Sequence, residues 1–559
     1  MDFIACMTLC LVQVSLANNL STTRTDNSQS ARTAVELFLG QYLLLKFYRV
    51  FLYHRYFSPF RHLPGPKDSH FLFGQTLKLF QTESPTELYV QWVKQWPDAP
   101  LIRYLGAFNS EVLVVNSLAA YKDFLQTNCY SFVKPSWWHK VTRTIVGDGL
   151  LVMEGDEHRA HKKMLSGILS APSVKKLEPV VWEKAKEVGL LFDSAIASNP
   201  DEETGVVESS DTFSKFTLDI MARVTLGLEL NNLGSTAETY RQGKPESRSS
   251  IKSSEPKGYT FHEAYLALFG QSTFGNFLSF VNAFLPIRWL PVEANLRYLR
   301  GADWLQLTLS SIIRERKRDV MRALETGGYE KQNSRDMLTF LVEETLPGGP
   351  AEGIKENHFL GHILQLMVGG VDTTANMLAW SSYVLANHHD IQDKLRREIL
   401  NFLARVSEPT YADINTLPYL NGFVKELLRV YSPGTTIYRQ AIEDVVLDGV
   451  LVPRGTMVEA TWAMPMTNPQ VWGDDADEVR PERWEHLTPT QKSPYAFPAF
   501  SGGPRTCPGK NLAYVEMKVI LVEIMRQYRF LRVVTQPKLH NPSLILHAHE
   551  LEVSVERIK

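Results

Sequence analysis

The sequence predicts a mostly α-helical protein with small β-sheets, on three observations. Apolar residues recur at helical spacing from about residue 118 to about 430, with proline, glycine and polar breaks between segments. Residues 356–387 read as one helix of about 30 residues, apolar through its middle. Strand-like runs are short and confined to 101–115 and 444–461. Composition suits a large core: of 559 residues, 44% are hydrophobic and 21% charged, which excludes a disordered chain. A net charge of −2 gives no bulk reason to bind nucleic acid. Gly147-Asp148-Gly149 lacks the further glycine of a dinucleotide fingerprint. The four cysteines, Cys6, Cys10, Cys129 and Cys507, are too widely spaced for a disulfide framework or a zinc site, and point to a reducing compartment.

The N-terminal region is different material. Residues 3–17 are apolar, short for a spanning helix and not preceded by a basic residue. A polar stretch separates them from 34–57, which is rich in Leu, Phe and Tyr but contains Glu36, Lys46 and Arg49. That second segment either spans a bilayer with snorkelling ends or lies in its interface. Residues 1–58 are therefore expected to be a membrane-anchor region of one or two hydrophobic helices, and 59–559 the functional domain. Arg55, Arg61 and Lys67 follow the anchor and place that domain on the cytoplasmic side. With two spans, Asn19-Leu20-Ser21 would be a lumenal glycosylation site.

Leu63-Pro64-Gly65-Pro66 stiffens the chain after the anchor. Residues 101–115, broken at Gly106 and Asn109, predict a hairpin. The polar run 231–258 predicts a surface loop, and Asp448-Gly449 and Arg454-Gly455 predict turns between strands. Residues 512–525 return to helix.

Three constellations carry chemistry. Phe500-Ser501-Gly502-Gly503-Pro504-Arg505-Thr506-Cys507-Pro508-Gly509 sets a cysteine in a glycine-rich loop just before a helix, where a thiolate is favoured as a metal ligand. Gly503 and Gly509 are expected to let the backbone pass something flat and bulky, and Arg505 to pair with a carboxylate. In the long helix, Gly369-Gly370-Val371-Asp372-Thr373-Thr374 contains two glycines, each costing a helix interior about 1 kcal/mol. Asp372 adds polarity there, so a local opening for ligand and water is expected. The bland alternative is a close helix crossing at the glycines. Finally, Glu426 and Arg429 share a helical face at i and i+3, in a helix over 418–430.

The cysteine loop resembles, at all five fixed positions (Phe500, Gly503, Arg505, Cys507 and Gly509), the haem-ligand loop of the cytochrome P-450 haem-thiolate monooxygenases. Gly369 to Thr374 resembles that family's oxygen-activation motif, and Pro481-Glu482-Arg483-Trp484 its Pro-Glu-Arg-Phe element with Trp in place of Phe. The resemblance covers roughly residues 60–555 and implies the fold in which a long central helix lies over haem and the cysteine loop beneath it. It implies Cys507 as axial ligand of haem b (iron protoporphyrin IX). Thr373 is then expected to hydrogen-bond dioxygen, and Asp372 to relay protons. Glu426, Arg429 and Arg483 would form a buried structural triad. Arg439 matches a propionate-pairing arginine, while His158 and Lys162 stand where the family has Trp and Arg, and both can donate to a propionate.

A substrate pocket is expected from Trp137, Trp138, Ile145, Met367, Val368, Ile437, Leu544 and Ile545, all apolar and each equally readable as core. Nothing in the chain looks like a flavin or iron–sulfur module. An NADPH-dependent cytochrome P-450 reductase is the implied electron donor, with cytochrome b5 a second. The style resembles fungal membrane-bound members at the endoplasmic reticulum that decorate specialised metabolites. Two other functions stay open: a haem-thiolate isomerase or dehydratase that does not use O2, against which Asp372 and Thr373 argue, and a non-enzymatic haem or lipid binder.

Overall fold

The computed structural model describes residues 2–20, 27–199, 203–241, 259–270, 272–282, 284–326, 336–349 and 351–558. It contains two compact units, Met1–Gln81 with Leu101–Val114, and Thr82–Pro100 with Val115–Lys559.

In the first unit, helices α1 (Asp2–Leu20) and α2 (Asn27–Phe47) pack together. The Cys10 thiol donates to the Ala34 carbonyl at 2.9 Å, and Gln41 pairs with Gln13. Leu9, Leu11, Leu39, Leu43 and Leu44 remain exposed on this pair. No helix among the described residues is long and apolar enough to cross a membrane. The physical reason in α2 is its charge: Arg32 and Glu36 form an exposed ion pair and Lys46 sits in the last turn. The glycosylation reading rests partly on Ser21, outside the described residues.

After α2 the chain winds into a wider π-helical segment, Tyr48–Phe57. Strands β1 (Leu101–Leu105) and β2 (Glu111–Val115) form the expected hairpin, with the Gly106 amide donating to the Ser110 carbonyl at 2.7 Å. Residues 48–58 are fastened to it. Arg103 donates to the His54 carbonyl at 2.7 Å, Asn109 to the Val50 carbonyl at 2.9 Å, and Ser58 to Glu111 at 2.5 Å.

The second unit holds the helical body. Strand β3 (Phe132–Val133) leads into α3 (Ser136–Val146), α4 (Gly155–Ile168) and α5 (Ala171–Ala197). Strand β4 (Thr204–Glu208) precedes α6 (Ser209–Leu226). Residues 232–241 are helical, which corrects that part of the expected surface loop; 242–258 lie outside the described residues. Helices α7 (Phe261–Phe269) and α8 (Glu293–Glu325) lead to α9, Glu356–Asn387, whose bounds are those expected. Its apolar stripe, Phe359, Ile363, Met367, Val371 and Leu378, is buried against the main core.

Helices α10 (His389–Leu403) and α11 (Pro418–Val430) follow. Strand β5 (Thr436–Ala441) pairs antiparallel with β3 and with β8 (Met457–Thr461). Between them β6 (Val445–Leu447) and β7 (Val450–Val452) turn at Asp448 and Gly449, both at positive φ. Helix α12 (Lys510–Gln527) runs into β9 (Tyr528–Thr535), and β10 (Glu552–Arg557) pairs with both β9 and β4. Mostly α with small sheets is thus the observed class.

Candidate active site

The cysteine loop closes on itself before α12 begins. The Cys507 amide donates to the Phe500 carbonyl at 2.8 Å, and the Phe500 ring packs on Tyr514 with centroids 5.2 Å apart. Cys6, Cys10 and Cys129 are buried, whereas Cys507 is exposed. Its sulfur is nevertheless enclosed by protein on its other sides: burial pushes the thiol up, opposed by the amides of Gly509 and Lys510 and by the Lys162 cation. A metal at that sulfur would remove the proton outright.

Gly503 has φ +61°, and a Cβ there would sit 2.2 Å from the Leu125 carbonyl oxygen. Its glycine is therefore required by neighbouring protein backbone, not by a flat cofactor, which corrects the expectation for that position. Gly509 differs, since a Cβ would meet only the Cys507 sulfur, at 3.8 Å.

Around this loop lies a group of basic side chains short of acid. Arg505 donates to Glu154 at 2.5 Å, and its buried Nε and Nη1 have no hydrogen-bond partner. Arg439 donates through Nη1 to the Tyr438 carbonyl at 2.9 Å; burial, then the nearby Arg505 charge, lowers it to about 10. Lys134 is buried and donates to Glu154 at 3.0 Å; burial and then Arg439 lower it to about 7. Glu154 itself is pushed up by burial, but Lys134 and Arg505 outweigh that and hold it below its usual value. Sequence reasoning missed Lys134, Glu154 and Tyr130.

His158 is buried and bonded to the Tyr130 hydroxyl at 3.2 Å; burial, then Arg505 and Lys134, lower it to about 4, so it is neutral at neutral pH. Lys162 donates to the Thr506 carbonyl, tying α4 to the cysteine loop. Glu154 is thus the one carboxylate paired within a cluster of Lys134, Arg439, Arg505 and Lys162 among the described residues. Buried like charges repel strongly. The cluster suits a ligand carrying two carboxylates with a metal above Cys507. Haem has that composition, and the residues present fit it.

On the far side, α9 runs through Gly369 to Thr374 as helix, so the expected local opening is not a break in the backbone. The Thr373 hydroxyl donates to the Gly369 carbonyl at 2.6 Å, one turn back. The two glycines serve different ends. A Cβ on Gly370 would sit 2.4 Å from the Met221 sulfur, the close crossing of α9 with α6, while one on Gly369 would meet nothing within 4 Å. Burial raises Asp372, and His547 and Tyr265 pull it back down. His547 is held by its neighbours: the Ala548 amide donates to Asn376 at 2.9 Å, and Asn376, one turn after Asp372, donates to the Leu546 carbonyl. Glu516 of α12 is buried with its Oε1 unpartnered, and burial pushes it up to about 8, opposed by Thr374. His547 and Glu516 carried no signal in the sequence.

The Glu426 network is complete. Arg429 donates to both Glu426 oxygens, at 2.9 and 2.8 Å, and both side chains are 0% exposed. Arg483 adds a bond at 3.1 Å, and Trp484 donates its indole N–H to Glu426 at 2.8 Å. The Trp that departs from the family pattern therefore supplies a hydrogen bond that Phe could not. Arg429 also donates to the Met466 and Ala476 carbonyls, and Arg483 to the Trp472 carbonyl and Asp475. These bonds gather the segment that leads to the cysteine loop.

The expected pocket residues divide. Trp137 joins Phe280, Phe284 and Tyr438 in an aromatic group, with Tyr438 edge-on at 5.0 Å. Trp138 lies against Lys134 at 6.0 Å. Ile145, Val368 and Ile437 are half-buried, Ile545 bridges to Gly434, and Leu544 is exposed. Met367 is a buried core residue, so its apolar character is explained by packing alone.

The family described as Cytochrome P-450 matches residues 64–555. The chain is similar to cytochrome P-450 monooxygenase sphH of Aspergillus fumigatus, 26% identical over 497 residues, covering 86% of this chain and 85% of that protein. It is also 26% identical over 489 residues to monooxygenase FSL4 of Gibberella zeae, covering 85% and 83%. With monooxygenase ALT8 of Alternaria alternata it shares 26% identity over 597 residues, covering 95% and 94%.

Proposed function

Because the chain belongs to the cytochrome P-450 family, a haem enzyme using O2 and electrons from NADPH through a reductase, we propose that it oxidises a hydrophobic small molecule of specialised metabolism while bound to the endoplasmic reticulum membrane. The observation that carries the site assignment is the exposed Cys507 thiol beside a basic cluster that holds one paired carboxylate. Bound there, haem supplies dioxygen reduction and the O–O cleavage that a thiolate ligand favours.

The chain's own residues do the rest. Cys507 would hold the iron, and the Gly509 and Lys510 amides would stabilise its negative sulfur. Arg439 and the two unpartnered Arg505 nitrogens would take the propionates, with neutral His158 as a further donor. Lys162 holds the loop through Thr506. The Thr373 hydroxyl, which here donates to the Gly369 carbonyl, would hold the proton to be delivered, and Asp372, raised by burial, would resupply it. Trp137 with its aromatic neighbours supports an apolar substrate. The exposed loop residues Gly503, Pro504 and Lys510 offer the reductase, and cytochrome b5 as second donor, a docking face.

Thr373→Ala tests the proton role. Product per NADPH is expected to fall about tenfold or more, with NADPH still consumed and peroxide appearing. Unchanged product per NADPH would remove Thr373 from proton delivery.

The exposed leucines of α1 and α2, followed by Arg55, Arg61 and Lys67, support an anchor lying in the cytosolic interface. The functional cut falls after Phe47, because His54 and Ser58 are bonded to the hairpin. Deleting residues 1–47 is expected to move most of the protein from sedimented microsomes to the supernatant with its haem spectrum unchanged. Full retention on membranes would place the anchor elsewhere.

A further inference from the structure

Four side chains face one another where α4 meets α9, none of them assigned a role above. Glu157 and His161 lie at i and i+4 on α4, and His358 and His362 at i and i+4 on α9. One ligand atom each from Glu157, His161 and His358 lies within 4.8 Å of the others. The rings of His161 and His358 are 5.6 Å apart, and His358 Nδ1 is 3.8 Å from Glu157. His161 Nδ1 is hydrogen-bonded to His362 Nε2 at 2.8 Å. His362 is 1% exposed, and its Nδ1 is buried with no partner.

Ordinary helix packing explains this poorly. An apolar residue at 362 would bury without orphaning a ring nitrogen. We propose that Glu157, His161 and His358 form a binding site for a divalent transition metal of the zinc class, joining α4 to α9. Two imidazoles and a carboxylate suit that class, and calcium or magnesium would demand more oxygens.

The His161–His362 bond leaves His161 Nε2 for the metal. His362 then accepts from Nδ1–H and fixes the ring, the orienting role that an acceptor behind a metal-bound histidine serves. Tetrahedral zinc needs ligand atoms about 3.3 Å apart. The Glu157 side chain, 52% exposed, is free to swing in and close that gap, and its exposure leaves the fourth position to water. The consequence is mechanical. α4 carries His158 and Lys162, so metal here fixes the helix that flanks the cysteine loop. The site stands on its own geometry and does not depend on the proton-delivery roles assigned above.

The test uses the full-length, haem-loaded protein. After incubation with zinc chloride and dialysis, metal analysis is expected to find one zinc per chain beside the iron, and added zinc should raise the unfolding temperature. Glu157→Gln and His358→Gln, both at positions reached by solvent, should each keep the haem spectrum and weaken zinc binding at least tenfold. Absence of stoichiometric zinc in the wild type would overturn the proposal, as would zinc retained at full strength by both variants. Should one variant fail to load haem, the other decides by the same readout.

Discussion

Cys507→Ser is expected to give a folded protein whose reduced, carbon monoxide-treated form lacks the absorption band of thiolate ligation, and whose NADPH-dependent product formation is abolished. Folding should survive because the contacts that close the loop are made by backbone. The closing bond runs from the Cys507 backbone amide to the Phe500 carbonyl, and Gly503 is required by Leu125. Serine is smaller and keeps the neighbouring amides supplied with an acceptor. What it lacks is a polarisable anion able to push electron density onto a metal. The other three cysteines are buried and offer no substitute ligand. An unchanged band would remove Cys507 as the ligand.

Glu426→Ala should be the most damaging substitution to stability. Glu426 accepts from Arg429, Arg483, Trp484 and the Arg480 amide, and neither it nor Arg429 is exposed at all. Removing it strands two buried guanidinium groups, of which only Arg483 keeps another acid, Asp475. Breaking such a pair costs about 3–5 kcal/mol, against a whole-domain stability of about 5–15 kcal/mol. Haem-loaded protein is expected to be nearly absent at growth temperature. Asp477→Asn is the control, since its partner Lys94 is an exposed ion pair and the loss should stay under about 1 kcal/mol. Equal recovery of the two variants, measured by haem absorption per milligram, would show that the Glu426 network is not a brace.

Much of the fold was legible because the signals were local. The bounds of α9 follow from an uninterrupted apolar stripe, and the β6–β7 turn from Asp448-Gly449. The cysteine loop and the Glu426 network could be located because their spacings carry meaning within a few residues. The acid that balances Arg505 could not: Glu154 lies 351 residues away in sequence and has no pattern of its own. Glycines misled for a related reason. A glycine declares that space is short without naming what fills it. At Gly503 that is the Leu125 backbone, and at Gly370 it is Met221. The polar middle of α9 suggested a gap, yet Thr373 satisfies itself on the Gly369 carbonyl and the helix continues. In the second N-terminal segment Glu36 and Lys46 interrupt the apolar run, so spanning and interfacial placement read alike from sequence.

The most direct test of the account is X-ray absorption at the iron edge of the purified ferric protein. One sulfur beside porphyrin nitrogens in the wild type, absent in Cys507→Ser, is the predicted result. An iron shell made of nitrogen and oxygen alone in the wild type would contradict it.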